Sequence, residues 1–445
     1  MSVISILPVA TFQRRTFSGP TEARCFDTEH GTHALLVDGS RVYDVPADFE
    51  SRLNEAAQRG PAAERGLLAS LGLLGDPAID APLAPPVVNA LALAVSEHCN
   101  LACGYCYADG GSFGANAPKH MNWDVARRAV DDLLARVPAG GSASLAFLGG
   151  EPLLNRDVLR RATLHAATLA AERGVSMRFS ITTNATVLNA DDAAFLAQHA
   201  FNVTVSIDGE RELHDALRPT RGGGGSYERI VARLGPLLGS DLRVSARLTV
   251  TPRHTALRAT LEHLMALGFH SVGFSPSLSS RDPALQLSAG ELDALLTQMI
   301  ECANEFERRI VKGDPYPFSN MLAALQELHR GTHRPLPCGA GAGYLGVSAD
   351  GAYSACHRFV GDPRAAMGDL DHGIDDAARE RWLASRHVDT QEPCRSCWAR
   401  YLCGGGCHHE VLNRGRVACD FIRGWLAHAL AAYVRIAEQR PDYFR

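Results

Sequence analysis

The sequence predicts an α/β protein of parallel βα units, in an open sheet or a partial barrel, with a small α+β segment before it and a cysteine-rich region after it. Three observations carry this. Six strand-like runs alternate with helical patterns between residues 90 and 276. The residues with chemistry to offer fall at the C-terminal ends of those strands, where such folds place their sites. Ten of the twelve cysteines form two ordered blocks, one directly after the first strand and one beyond residue 330.

Taken in order, residues 1–85 form a segment of their own. "HALLVDGSRVYDV" alternates as strand–turn–strand around Asp38-Gly39, a hairpin signal. "FESRLNEAAQ" and "AAERGLLASLGLL" read as short amphipathic helices, and the proline-rich "APLAPP" at 81–86 reads as a linker. The predicted core, 86–312, holds the strands "ALALAVSE", "ASLAFLGG", "SMRFSITTN", "FNVTVSIDG", "LRVSARLTV" and "SVGFSP". Helical patterns such as "NWDVARRAVDDLLARV" and "NRDVLRRATLHAATLAAERG" lie between them, and a long helix at 288–310 leads out. The third unit, 313–445, is rich in Gly and Cys and poor in periodicity until a terminal helix, "WLAHALAAYVRIAEQ". Metal centres standing in for an apolar core would explain that composition.

Bulk properties narrow the class. A 445-residue chain with 46% hydrophobic and 21% charged residues is an ordinary globular protein. A net charge of −5 argues against a nucleic-acid binder that works by general basic attraction. No apolar run reaches the roughly 18 residues of a membrane span, and "MSVISILPVA" is too short for a signal peptide. A cytoplasmic location is expected, where clustered cysteines serve as ligands rather than disulfides. Cys25 and Cys302 fall outside both blocks and read as ordinary thiols.

The first block, Cys99-x3-Cys103-x2-Cys106, offers three thiolates at short spacing, suited to a soft metal. An iron–sulfur cubane has four irons, so three thiolates leave one iron open to a small molecule. The second block runs Cys338-x12-Gly351-x4-Cys356, then Cys394-x2-Cys397-x5-Cys403-x3-Cys407, then Cys419. A zinc-ribbon pair is the plainer alternative for Cys394 and Cys397 taken alone.

These residues resemble the radical SAM superfamily, and within it the members with a SPASM extension. The first cysteine run, with aromatic Tyr105 before its last cysteine, is similar to the superfamily signature. So is "GGEPLL" at 149–154, and "SIDGERELHDALRP" looks like the fourth-strand region of peptide-modifying members. The resemblance implies a partial (β/α)6 barrel with a C-terminal iron–sulfur SPASM domain. It further implies a [4Fe–4S] cluster on Cys99, Cys103 and Cys106 whose open iron chelates S-adenosylmethionine, and reductive cleavage to a 5′-deoxyadenosyl radical. Two auxiliary [4Fe–4S] clusters follow: an outer one on Cys394, Cys397, Cys403 and Cys419, and an inner one on Cys338, Cys356 and Cys407, one ligand short.

Further roles come with the resemblance. Gly149 and Gly150 let backbone approach the cofactor. Glu151 accepts from the methionine ammonium, Ser206 and Asp208 suit ribose hydroxyls, and Arg218 or Arg247 pairs with the methionine carboxylate. Tyr105 and Asn184 complete the cofactor-binding set. His357, after Cys356, is the candidate base, with a hydrogen bond to cluster sulfur as the alternative. Relatives that make formylglycine carry an aspartate there, so histidine departs from the sulfatase-maturase pattern. His408 and His409 read as structural.

The reading that follows is a maturase of a ribosomal peptide or small protein subunit, supplied with electrons by a flavodoxin- or ferredoxin-type donor. "CRSCWARYLCGGGCHHE" looks similar to maturases of quinohemoprotein amine dehydrogenase, which form thioethers from Cys to Asp or Glu. Carbon–carbon cyclophane formation is the alternative within the class, and a non-catalytic iron–sulfur electron carrier the rival outside it. Residues 1–85 read either as a leader-recognition element working by strand addition or as a helical cap.

Overall fold

The computed structural model describes residues 22–74, 85–114 and 117–444. The N-terminal run weighed as a signal peptide lies outside them, as do residues 81–84 of the proposed linker. The described chain begins with an antiparallel sheet of β1 (Ala23–Thr28), β2 (Gly31–Leu36) and β3 (Arg41–Asp44), followed by α1 (Phe49–Gln58) and α2 (Pro61–Ser70). The hairpin is where Asp38-Gly39 predicts it, with Gly39 at φ 71°, a left-handed conformation that favours glycine. β1 is an element that sequence reading missed. This unit has a small core of its own, built on Leu36, Phe49, Leu53 and Leu68, while Leu35 and Val37 join the main core.

The core alternates β4 (Ala90–Ser96), α3 (Trp123–Arg136), β5 (Ser142–Gly149), α4 (Arg156–Glu172), β6 (Ser176–Thr183), α5 (Ala190–Gln198), β7 (Asn202–Ser206), α6 (Arg211–Leu217), α7 (Tyr227–Leu238), β8 (Val244–Val250), α8 (Leu257–Ala266) and β9 (Ser271–Pro276). Caps set several helix starts: Asn122 accepts from Val125 N, and Asn189 forms a capping box with Asp192. Strands β4 to β9 are parallel and lie side by side in chain order, with no reversal. Crossovers of one hand running in one direction put every helix on one face. That resolves the two alternatives in favour of the partial barrel.

Burial alternates accordingly. On β8 Val244, Ala246, Leu248 and Val250 are buried in the core, while Ser245, Arg247 and Thr249 occupy the other face. Register puts Ser206, Arg247 and Gly273 in one row of that face.

Beyond the core come α9 (Ala289–Val311), α10 (Ser319–His329), β10 (Tyr344–Val347), β11 (Ala352–Ser354), β12 (Ala366–Asp369), β13 (Gly373–Ile374), α11 (Asp376–Arg386), α12 (Arg400–Cys403), α13 (His408–Arg414) and α14 (Cys419–Gln439). β10 pairs in parallel with β4, and β11 to β13 continue antiparallel, so one ten-stranded sheet crosses the 312/313 boundary. The expected substitution of metal centres for an apolar core is corrected here: Tyr353, Phe359, Met367, Trp382, Leu383 and Val388 extend the main core into this region. Among the described residues no helix is long and apolar enough to cross a membrane.

Candidate cluster and cofactor site

Cys99, Cys103 and Cys106 lie in the loop after β4, pinned from three sides. Arg221 Nε donates to Cys99 O at 2.6 Å, Ala102 N to Pro219 O at 2.8 Å, and Asp282 N to Gly104 O at 3.2 Å. The thiols sense one another. Burial pushes Cys103 up to about 12 against the pull of Arg218, with Cys106, Asp208 and Cys99 adding to the rise. Burial likewise pushes Cys99 up to about 11, opposed by the amide of Leu101. Leu101 N and Asn184 Nδ2 both aim at Cys99 Sγ, at 3.5 and 3.6 Å. Such donors suit anionic sulfur, which metal ligation supplies by deprotonating the thiol outright.

Several residues serve the loop rather than the ligand the sequence suggested. A Cβ on Gly149 would stand 2.2 Å from Ser96 O, and one on Gly150 2.3 Å from His98 O and 2.8 Å from Cys99 N. These glycines admit the cysteine loop's own backbone. Glu151 is wholly buried, and its carboxylate is already engaged by Leu153 N at 3.0 Å, Thr183 Oγ1 at 2.7 Å and Asn184 N at 2.7 Å. Burial pushes it up to about 6 although all three donors pull it down. It ties the end of β6 to that of β5 instead of presenting a free acceptor to an ammonium group.

Asp208 is also corrected. It has no exposed surface and accepts from Arg218 Nε at 2.9 Å, Arg218 Nη2 at 3.2 Å, Thr249 N at 3.0 Å and the Tyr105 hydroxyl. Burial alone would raise its pKa, but Arg218, the Tyr105 hydroxyl and the Thr249 amide together hold the carboxyl below its ordinary value. A ribose hydroxyl cannot reach it, and Arg218 is committed to this ion pair rather than to a methionine carboxylate. Tyr105 is anchored by the same carboxylate, so the pair sets the loop one residue before Cys106.

Arg247 is different. No ion-pair partner meets it among the described residues, and Gly273 beside it leaves room: a Cβ there would stand 3.1 Å from Nη1. Its surface is accessible, yet burial still lowers its pKa, as expected for a guanidinium in a recess. In the same row as Ser206, it is an inner-face cation available to a carboxylate.

The second block separates into two sets. Burial raises Cys338 and Cys356, the latter to about 12, and each feels Cys407. Cys394, Cys403 and Cys419 each feel Cys397, and these four thiols line an open cavity that Cys407 also borders. Buried polar atoms left without partners gather here too: Arg24 Nε, Arg358 Nε, Arg386 Nη2, His408 Nε2 and Glu410 Oε2. Four of these five belong to arginine or histidine, and unmet donors beside thiols fit an anionic group. Among the described residues no three His, Cys, Asp or Glu side chains converge on one metal ion. A cubane, with each thiolate on a separate iron, does not need that convergence.

His357 shares a 2.6 Å hydrogen bond with the Tyr344 hydroxyl; burial, then Arg358, pushes it down to about 4. His408 accepts from Arg386 Nε at 3.2 Å and His409 meets Asn413, so both are structural. Sequence reasoning missed Tyr107. Its ring meets Phe113, His357 and His409 edge-on, lies 4.9 Å from the Arg358 guanidinium, and its phenol feels both Cys106 and Cys356. It therefore stands between the first cysteine set and the set of three. An aromatic after the last cysteine was the available signal.

Residues 93–276 match the family model for the radical SAM superfamily. The chain carries a radical SAM domain. It is an enzyme of that class, using a [4Fe–4S] cluster and S-adenosylmethionine, with SPASM-type relatives that carry auxiliary clusters. It is 25% identical over 363 residues to a serine-type anaerobic sulfatase-maturating enzyme of Klebsiella aerogenes, covering 78% of this chain and 86% of that one. An uncharacterised protein of Archaeoglobus fulgidus is 27% identical over 364 residues, 76% and 80% of the two chains. Among solved structures, anSMEcpe with bound AdoMet superposes at TM-score 0.68 with 18% identity, covering 81% of this chain and 97% of the other. SuiB of Streptococcus suis, bound to its precursor peptide SuiA, gives 0.52 with 13% identity, covering 89% and 97%.

Proposed function

We propose that this radical SAM enzyme matures a ribosomally made peptide or small protein, and that its product is an intrapeptide crosslink, a thioether from Cys to Asp or Glu. The separation of the C-terminal cysteines into a set of four and a set of three, with Tyr107 between the three and the first loop, carries the reading. It supports a substrate held between a radical source and an electron acceptor. The bound cluster and S-adenosylmethionine would supply a 5′-deoxyadenosyl radical to abstract hydrogen from a C–H bond. Cys99, Cys103 and Cys106 would hold the cluster, with Asn184 and the Leu101 amide donating to Cys99 sulfur. Arg247 would orient the methionine carboxylate, and Ser206 would meet a ribose hydroxyl. His357 and Tyr344, hydrogen-bonded beside Cys356, are where a substrate proton would be received. An external one-electron donor of flavodoxin or ferredoxin type would complete the cycle.

Sulfatase-type oxidation of a Cys or Ser side chain is the second reading, favoured by the homology to sulfatase-maturating enzymes. Two measurements decide. Anaerobically reconstituted protein with dithionite and S-adenosylmethionine should release 5′-deoxyadenosine, with candidate peptide present; none released refutes the catalytic reading. Mass spectrometry of a co-expressed peptide should show loss of two hydrogens with its cysteine alkylation-resistant; an aldehyde reactive to hydrazide would favour the second reading.

A further inference from the structure

Among the described residues, three arginines around the set of four cysteines form no salt bridge to a carboxylate, although Arg24 feels Glu50 at longer range, and Arg24 comes from the far end of the chain. Arg24, on β1, lies with its guanidinium 4.4 Å from the Trp398 ring centre and beside Cys397, and its Nε is unmet. Arg386, at the end of α11, is nine-tenths buried; it faces Cys394, and its Nη2 is unmet. Arg416 lines the cysteine cavity and, besides the Cys394 thiol, donates to the uncharged Gly405 O at 2.8 Å and Gln391 Oε1 at 2.6 Å. Arg386 and Arg416 repel each other, as do Arg24 and Arg423. Like charges gathered this way in a partly desolvated shell are unfavourable unless an anion sits among them. By contrast, Arg358, by the set of three, pairs with Glu410 at 2.5 Å, and Arg218, by the first loop, with Asp208 at 2.9 Å.

We infer that Arg24, Arg386 and Arg416 are positioning residues for the outer cluster: they favour its more negative, reduced state, make it the higher-potential auxiliary cluster, and give the N-terminal unit a part in setting that potential. The inference rests on the three-cluster reading proposed above. Each added electron adds a negative charge, and net charge and hydrogen bonds to sulfur are what set such potentials. Hydrogen-atom abstraction removes the first electron of a two-electron substrate oxidation. The second would leave as the substrate proton passes to the His357–Tyr344 pair and on to solvent; the outer cluster would be its one-electron acceptor, reoxidised by a carrier of ferredoxin or flavodoxin class.

The test uses full-length protein with Cys99, Cys103 and Cys106 changed to Ala, reconstituted anaerobically and titrated potentiometrically with EPR detection. Cys403→Ala and Cys356→Ala assign the outer and inner signals. The outer midpoint should be the higher. Arg24→Gln and Arg386→Gln should each make the outer cluster about tenfold less reduced at a given potential, 59 mV for one electron, leaving the inner midpoint in place. Arg24→Lys should restore most of the shift. Arg386→Gln gives an independent reading should Arg24→Gln loosen the N-terminal unit. Full iron with an inner midpoint above the outer, or with an outer midpoint unmoved by both Gln variants, overturns the inference alone. A chain that takes up no iron overturns the cluster reading and this inference with it.

Discussion

Replacing Asp208 by Ala should strongly destabilise the core. Asp208 is fully buried and Arg218 is 8% exposed, so the substitution leaves a guanidinium without its counter-ion inside the protein. Breaking a buried pair from one side costs about 3–5 kcal/mol. Thr249 N and the Tyr105 hydroxyl lose their acceptor too, but they belong to the same network and do not simply add. For a domain of this size each kcal/mol moves Tm by roughly 2–4 °C, so a fall on the order of 10 °C is expected by circular dichroism of anaerobic protein. A second variant separates charge from packing. Asp208→Leu with Arg218→Met removes both ions and should recover most of the loss, since well-packed apolar side chains replace buried pairs at little cost. Because Tyr105 hangs on this carboxylate one residue before Cys106, the single variant should also bind less iron. An Asp208→Ala melt within about 2 °C of the parent, or a double variant less stable than the single, would refute the argument.

Two further outcomes are expected. Gly150→Ala puts a Cβ 2.3 Å from His98 O and 2.8 Å from Cys99 N, so the cysteine loop must shift; iron analysis should find about four irons fewer per chain with the auxiliary signals intact. Glu305 is held down to about 2, by hydrogen bonds from Arg308 and Arg309 that outweigh burial. A depressed carboxylate contributes stability above its unfolded pKa and loses it as pH falls through the folded one. Apoprotein should thus be more stable than its Glu305→Gln variant at pH 6, the difference fading between about pH 4.5 and 2.

What was legible in the sequence was what is local. The cysteine spacings, the Asp38-Gly39 hairpin and the strand-end positions of Glu151, Asn184, Ser206 and Asp208 all follow from neighbours in the chain, and the structure has each where the pattern put it. Side-chain engagement was not legible, because it depends on partners far away in sequence. Glu151 reads as an available acceptor until Thr183 and Asn184 fold onto it, and Asp208 until Tyr105 and Arg218 do. The pairing of β10 with β4 was hidden for another reason: a four-residue strand beside Gly339, Gly341 and Gly343 has too few residues to show a period.

The same distinction bears on how the charges were read. A net charge of −5 spread over 445 residues carries no hint that arginines gather around one set of cysteines. Arg24 precedes Trp398 by hundreds of residues, and only the docking of β1 against α14 and the C-terminal cysteine region brings them together. A carboxylate drawn into a buried ion pair and an arginine left without one are opposite departures from what composition suggests. The first removes Asp208 and Arg218 from the roster of ligand-binding groups and makes them supports of the Cys106 loop. The second adds Arg24, Arg386 and Arg416 to the groups that face an anion. Local spacing therefore identifies where sulfur ligands stand, whereas tertiary pairing decides which cations remain free to act on the charge those ligands gather.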